Sequence, residues 1–578
     1  MSEPDDKLTG DIAPAEQRLT REGGDKGLSL SERLSGALAL VGYKSALHKL
    51  RLHGKFPLKL ITVPKDPIPG DAAIGAALVQ GQLRHGGANV AARDFAAALT
   101  TAPPAWRDWA HGFVFLRDLA AAANRSAGAK IAEPLAAAWV EAYSEFEAES
   151  WRPDLIGKRI LFWTAYAPYV LASTDLVYRS HILNHIARGS RHLERAIDKA
   201  HDGLPRLWAH AGLLAANLLI PGGDARLAKT EGSFEKALDQ TLLPDGGVVS
   251  RSPLDQLELL ELLLLVQALY ESRQLRPADF VTAAATRLVP GLKGSVMGDG
   301  LFAPMHGGSL GSAERIARAV ELSGVMARPA RTGTYSGVQR MTGGRTVIVL
   351  DAGPPPIARV SANAHAGTLG FEFSDGAARI VVACGGTMGL PRPLPPELAS
   401  LLATSAAHST LVLGDVNSTR LRDDGSLGRG VEEVVANRHE SEEGVWVEAC
   451  HDGYARRYGL LHHRRLYLSA DGLDFRGEDA LEPAKGKSSR KGAGHGFDIR
   501  FHLGNGIEAA PTADGQGALL QVMNGALWQF KARGGRLAID ESLWIDPDGR
   551  PARTHQLVVS GDTTAEGASI NWSFKRAR

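Results

Sequence analysis

Cysteine is nearly missing from this chain of 578 residues, in which only Cys384 and Cys450 occur. Two thiols cannot build a disulfide framework, and neither sits in a CxxC pair, which excludes a structural zinc knuckle. A surplus of charge of one sign is missing too. The formal net charge is +1, so no global field recruits nucleic acid or an anionic membrane. Long apolar runs are absent. The most apolar stretch, Leu257-Glu-Leu-Leu-Glu-Leu-Leu-Leu-Leu-Val-Gln-Ala-Leu269, is too short to span a bilayer and carries two glutamates, so it reads as a helix buried on most sides. No basic-then-apolar leader opens the chain. Met1-Ser-Glu-Pro-Asp-Asp-Lys is polar and acidic, and the expectation is a cytoplasmic protein whose residues 1–28 form a disordered tail.

What is present is the composition of a folded protein, 44% hydrophobic and 22% charged, at a length that calls for two domains. Residues 29–328 carry a helical period. Trp106-Arg-Asp-Trp109 leads into Phe113, Phe115, Leu116 and Leu119, and Leu155, Ile156, Arg159, Ile160 and Trp163 recur at three-and-four spacing. Pro221-Gly-Gly223 and Pro244-Asp-Gly-Gly247 punctuate the run, so consecutive helices are antiparallel neighbours in a bundle or solenoid. Beyond the joint Ala327-Arg-Pro-Ala-Arg-Thr-Gly333 the period becomes two. Residues 329–578 hold segments such as Arg345–Asp351, Gly444–Cys450, Arg464–Ser469 and Phe497–His502, separated by Asp-Gly and Gly-Gly turns. That pattern predicts a large antiparallel β-sandwich. Lys485–Gly496 is a Gly/Lys/Ser loop without the glycine spacing or feeding strand of a phosphate loop.

Three segments concentrate chemistry. Asn363-Ala-His-Ala-Gly-Thr-Leu-Gly-Phe-Glu-Phe373 places His365 at the mouth of an alternating strand, and Ala407-His408-Ser-Thr-Leu places a second imidazole before another. His451-Asp-Gly-Tyr454 is followed by Arg456-Arg457 and His462-His-Arg-Arg465, which lie beside strands.

Together with Trp151-Arg-Pro, Arg159, Trp163 and Leu243-Pro-Asp-Gly-Gly-Val-Val-Ser-Arg-Ser-Pro253, these segments resemble the heparinase II/III family of polysaccharide lyases, from roughly Trp106 onward. The resemblance implies an N-terminal α/α-toroid, an incomplete helical barrel, joined to a large antiparallel β-sandwich with a glycan cleft between them. It implies β-elimination at a uronic acid, which requires a neutralised carboxylate, a base for the C5 proton and an acid for the departing O4. The implied partner is an acidic polysaccharide or oligosaccharide, and an envelope or periplasmic location is the alternative to the cytoplasm.

Carried over position by position, the family's His-x-His-x-Asp motif is Asn363, His365 and Gly367 here. The carboxylate of the following strand falls on Ala383 and the third metal ligand on His408, so His365 and His408 are the candidate ligands of a structural divalent ion such as zinc. Hydrogen-bonded strand caps are the alternative reading of both rings. The family's tyrosine base falls on Asp255 and the histidine after it on Gln256, while the Asn-His pair facing the uronate falls near Leu204-Pro-Arg206. The candidates for catalysis are therefore His365, Tyr454, Arg251 and His451, and for substrate binding Asn363, Asp255, Arg206 and Arg465. Arg251 suits a planar carboxylate through its bidentate fork, or else it pairs with Asp245 or Asp255. Two functions compete: a lyase using His365 or Tyr454 for proton transfer, and a catalytically inactive glycan-binding or envelope-biogenesis protein on the same fold. A hydrolase built on Asp245 and Asp255 is least favoured.

Overall fold

The computed structural model describes residues 17–21, 27, 29–54, 57–484, 494–523 and 525–577. Positions 485–493 of the expected Gly/Lys/Ser loop lie outside these residues, as do positions 1–16 of the expected tail.

The N-terminal half is an α/α-toroid whose helices follow one another as antiparallel hairpins. Leu204–Leu219 packs against Pro153–Ala165, Asp224–Asp239 and Pro253–Ser272. The first crossing is backbone on backbone, since a Cβ at Gly157 would stand 2.1 Å from Trp208 O and one at Gly212 would stand 2.3 Å from Gly157 Cα. No side chain fits either position. Pro253–Ser272 contains the apolar run, and its buried residues lie all round the helix, as a helix hydrophobic on every face requires. Trp106, Trp139, Trp151 and Trp163 are fully buried. Arg159 stands 3.9 Å above the Trp139 ring and donates to the carbonyls of His111 and Ser150. Burial pulls its pKa down to about 9, and its contacts make Arg159 a packing residue of the toroid.

The C-terminal half is an antiparallel sandwich. One sheet has nine strands, ordered Gln17–Thr20, Glu433–Glu440, Gly444–His451, Leu460–Ser469, Asp474–Pro483, Ala568–Arg576, Leu527–Arg533, Gly517–Val522 and Ile507–Pro511. The other runs Arg536–Ile545, Pro551–Asp562, Gly496–Leu503, Ala378–Val382, Phe371–Asp375, Thr346–Asp351 and Val338–Gly343, with Leu411–Leu413 paired to Gly496–Leu503 as its eighth. Alternation fills the space between the sheets with Phe371, Phe373, Phe475, Phe501, Trp528, Phe530, Trp572 and Phe574. Each such ring contributes about 1.5–3 kcal/mol by burial.

Two local expectations change. Part of the predicted disordered tail is ordered: Gln17–Thr20 pairs with Glu433–Ala436 at the sheet edge. Buried Arg21 fixes its end by donating to the carbonyls of Pro356, Leu427 and Gly428. The alternating strand expected directly after His365 begins only at Phe371, because Leu369 adopts φ +62° and the backbone from Asn363 to Gly370 is a loop.

Candidate functional site

The loop that replaces the start of that strand delivers His365 to the joint between toroid and sandwich. Its ring lies 3.9 Å from that of His408, centroid to centroid, and 4.6 Å from that of His306, with the last two planes only 12° apart. His408 follows a single turn of 3-10 helix, Ser405–Ala407. Its ring fills the space over Gly367, where a Cβ would stand 2.5 Å from His408 Cγ. The missing side chain at that motif position is therefore what lets the rings approach.

Arg251 closes the cluster from the helical side. Its Nη2 bonds Asp351, its Nη1 donates to His306 Nε2 at 2.9 Å and to the carbonyls of Pro354 and Gly353 at 2.8 and 3.1 Å, and its Nε donates to Ser336 O at 2.7 Å. Arg251 and His306 both hold left-handed backbone, φ +57° and +46°, a local cost that persists only where the surroundings over-determine it. Burial raises the Asp351 carboxyl, but the Arg251 guanidinium outweighs it and holds the pKa well below the usual carboxylate range. Burial pushes His408 down to about 4 and His365 well below its ordinary range, with the neighbouring imidazoles adding to the effect on His365. All three rings are neutral at physiological pH.

Hydrogen bonding then assigns the protons. Gly367 N donates to His365 Nδ1, so His365 carries its proton on Nε2. His408 Nδ1 donates to Thr404 O, leaving Nε2 as an acceptor. His306 Nε2 accepts from Arg251, so its proton is on Nδ1. His306, Asp351 and His365 offer ligand-type atoms within 4.8 Å of one another, yet they do not fit a divalent ion. Two of the nitrogens facing the cluster bear protons, the near-parallel His306 and His365 rings cannot aim lone pairs at one point, Ala383 supplies no carboxylate, and the guanidinium already holds Asp351 and His306. The structure brings His365 and His408 together with their ring planes tilted by 38°, while His365 stacks on His306. The cavity beside them, about 20 Å³ and lined by Asp351, His365, Ala383 and His408, is the size of one water. One donor (His365 Nε2) and two acceptors (His408 Nε2 and Asp351 Oδ2) lack protein partners there.

The other candidates lie elsewhere. Tyr454 is 1% exposed and donates its hydroxyl to Leu411 O, and burial raises its pKa. His451 accepts from Gly453 N and hands its other nitrogen to His462, which contacts Asp479 at 2.7 Å. Asp479 also holds Arg464. That relay is buried inside the sandwich. Arg465 lies on the outer sheet face, paired with Glu448, Glu478 and Glu482. Arg206 pairs with Asp202 at the toroid rim, and Asn363 is exposed beside the Gly307 backbone. Asp245, the other carboxylate of the hydrolase idea, accepts from the backbone of Gly247, Tyr335 and Ser336.

Asp255 differs from these. It stands in the first turn of Pro253–Ser272, partly exposed, accepts from Ser250 Oγ at 2.5 Å, and burial pushes its carboxyl up to about 6. One turn on, Glu258 accepts from Trp208 Nε1 at 2.7 Å and lies 3.5 Å from Lys158 Nζ. Sequence reasoning missed His306, Asp351 and Glu258. The Met305-His-Gly-Gly turn and the strand ending in Asp351 were visible, but no local pattern says that they meet.

The family model described as "Heparinase II/III-like, C-terminal" matches residues 325–573. FtsZ-localized protein C of Caulobacter vibrioides is 30% identical over 558 residues, covering 93% of each chain. Among solved structures, a heparinase III superposes with TM-score 0.62 at 14% identity, covering 97% of this chain and 87% of the other. A heparan sulfate lyase mutant from Pedobacter heparinus gives 0.59 at 11%, covering 94% and 88%. At such identities these two speak for the fold.

Proposed function

Because the chain belongs to the heparinase II/III-like family, we propose that it has kept the lyase fold, given up the elimination chemistry, and acts as a binding protein of the cell envelope. The observation that carries this reading is the committed state of every group nominated for proton transfer or carboxylate neutralisation. His365, Tyr454, His451 and Arg251 are all buried, and all spend hydrogen bonds on the protein itself. Elimination requires such groups to face the C5 proton and the uronate. The printed name of the Caulobacter vibrioides relative, FtsZ-localized protein C, supports a place beside FtsZ.

The test has two arms. Purified protein incubated with heparan, alginate, chondroitin and bacterial exopolysaccharides should give no unsaturated-uronate absorbance, and it should pellet with polymerised FtsZ. Absorbance that grows with time would overturn the loss of chemistry, and a protein that stays in the supernatant would overturn the association with FtsZ.

One observation favours a second reading. Asp255 occupies the family's base position with its carboxyl near neutrality, which is where a general base works best. If absorbance is seen, Asp255→Asn should abolish it.

A further inference from the structure

A much larger cavity, about 840 Å³, opens in the sandwich between the loop of residues 415–432 and the short helix Ala455–Tyr458. Four arginines line it: Arg420, Arg429, Arg456 and Arg457. All four are exposed. Several arginines on the sheets are matched with carboxylates. Arg465 holds three glutamates, Arg464 holds Asp479, and Arg379 holds Asp299 and Glu372. Three of the arginines around this cavity are not matched in that way. Among the described residues no carboxylate lies within ion-pair distance of Arg420, Arg456 or Arg457, and Arg457 rests only on the Tyr458 ring, 5.4 Å away. Asp452, one of the acids in the lining, accepts from the backbone of Glu432 and Glu433.

We propose that this cavity binds an acidic peptide segment of a partner protein. Its volume is that of a pocket for a compact ligand, and unmatched guanidiniums converging from two segments are a usual recognition device for carboxylates. The lining also contains Asp415 and Glu432. A uniformly charged uronate polymer brings anions against those two carboxylates as well as against the arginines. A peptide sets its acidic side chains on the arginines and its amide N–H groups or neutral residues on the acids. Tyr454 contributes only wall, since its hydroxyl is turned inward to Leu411 O. The site is separate from the histidine stack, so it stands or falls independently of whether the protein cleaves glycans.

Fluorescence anisotropy of a labelled peptide of about ten residues, alternating Asp and Ala, tests this against the full-length chain, with a heparan tetrasaccharide and inorganic phosphate as competitors. The peptide should bind, more weakly as salt rises. Arg456→Glu with Arg457→Glu, and separately Arg420→Glu, should each weaken it at least roughly ten-fold, while the exposed Arg533→Glu leaves it unchanged. Thermal melts of the variants establish that each is folded. No binding, binding indifferent to the charge reversals, or stronger arginine-dependent binding of the tetrasaccharide would each overturn the proposal, the last by making the cavity a glycan subsite.

Discussion

Asp255 is a carboxyl group held at a cost. Its pKa is raised by burial to about 6 from an ordinary 3.8. The folded state therefore holds the proton more tightly than the unfolded state. The resulting penalty is fully present above pH 6 and is relieved as pH falls toward 3.8. Asparagine at this position keeps the Ser250 hydroxyl bond and cannot ionise. Asp255→Asn should raise stability by about 1–2 kcal/mol at pH 7.5, after allowing for the part exposure of the group, and by little at pH 4. Urea unfolding at the two pH values measures the difference, and equal stabilities at pH 7.5 would show that the carboxylate is not strained there. A residue kept against stability is the signature of use, which makes this position the place to look for ligand contact.

The place of Asp255 in the first turn of a helix was legible in the Arg-Ser-Pro that precedes it. Its raised pKa was not, because desolvation comes from helices remote in sequence. His365 and His408 were legible as neighbours, yet their close approach depends on Gly367 and on a turn at His306, about sixty residues away in the chain.

At the scale of elements, the strand Gln17–Thr20 shows how composition misleads. A polar segment buries little, so its sequence reads as unstructured. It is ordered because the edge strand Glu433–Glu440 offers unpaired backbone groups, and because Arg21 satisfies the carbonyls of Pro356, Leu427 and Gly428 at one buried point. Arg21→Met keeps the apolar stem and removes the donors. It should cost about 2–3 kcal/mol, and hydrogen exchange of the Glu433–Glu440 amides should accelerate. Unchanged exchange would mean that the ladder alone holds the strand. The sandwich strands with clean alternation, such as Leu460–Ser469, were legible from the period alone. The strand after His365 was not legible to its first residue, since Leu369 takes a backbone conformation that no period reports.

At the scale of the whole molecule, histidines set the acid limit. Burial depresses His85, His111, His210 and His408 to about 4, and His185, His192 and His502 to about 3. Each is neutral in the fold but binds a proton below about 6.5 once the chain unfolds. Their stabilising contribution is therefore complete above pH 6.5 and is lost as pH falls toward 4 and 3. Three carboxyls act in the opposite sense over part of that range, Asp118 and Asp255 at about 6 and Glu372 at about 7. Seven imidazoles outweigh three carboxyls, so the melting temperature should fall steadily from pH 7 to pH 4. A flat profile would show that the rings are solvated in the folded state.

Arg251 decides whether that unfolding is one event or two. It rises from the toroid and satisfies the carbonyls of Ser336, Gly353 and Pro354 and the carboxylate of Asp351, all in the sandwich. Removing one partner of such a buried pair leaves a carboxylate without compensation, at about 3–5 kcal/mol. The loss falls on the joint and not on either core, since the aromatic cluster of the sandwich and the tryptophans of the toroid make no use of the guanidinium. Arg251→Ala should therefore split a single calorimetric transition into two, the lower one reporting the domain that the joint stabilises. The same variant frees Asp351 and His306 together. Zinc, which the wild-type cluster should not take up because a guanidinium already neutralises it, should then raise the lower transition of the variant alone. Stabilisation of the wild-type protein by zinc would instead mean that the imidazole stack rearranges around an ion and that Arg251 is not its substitute.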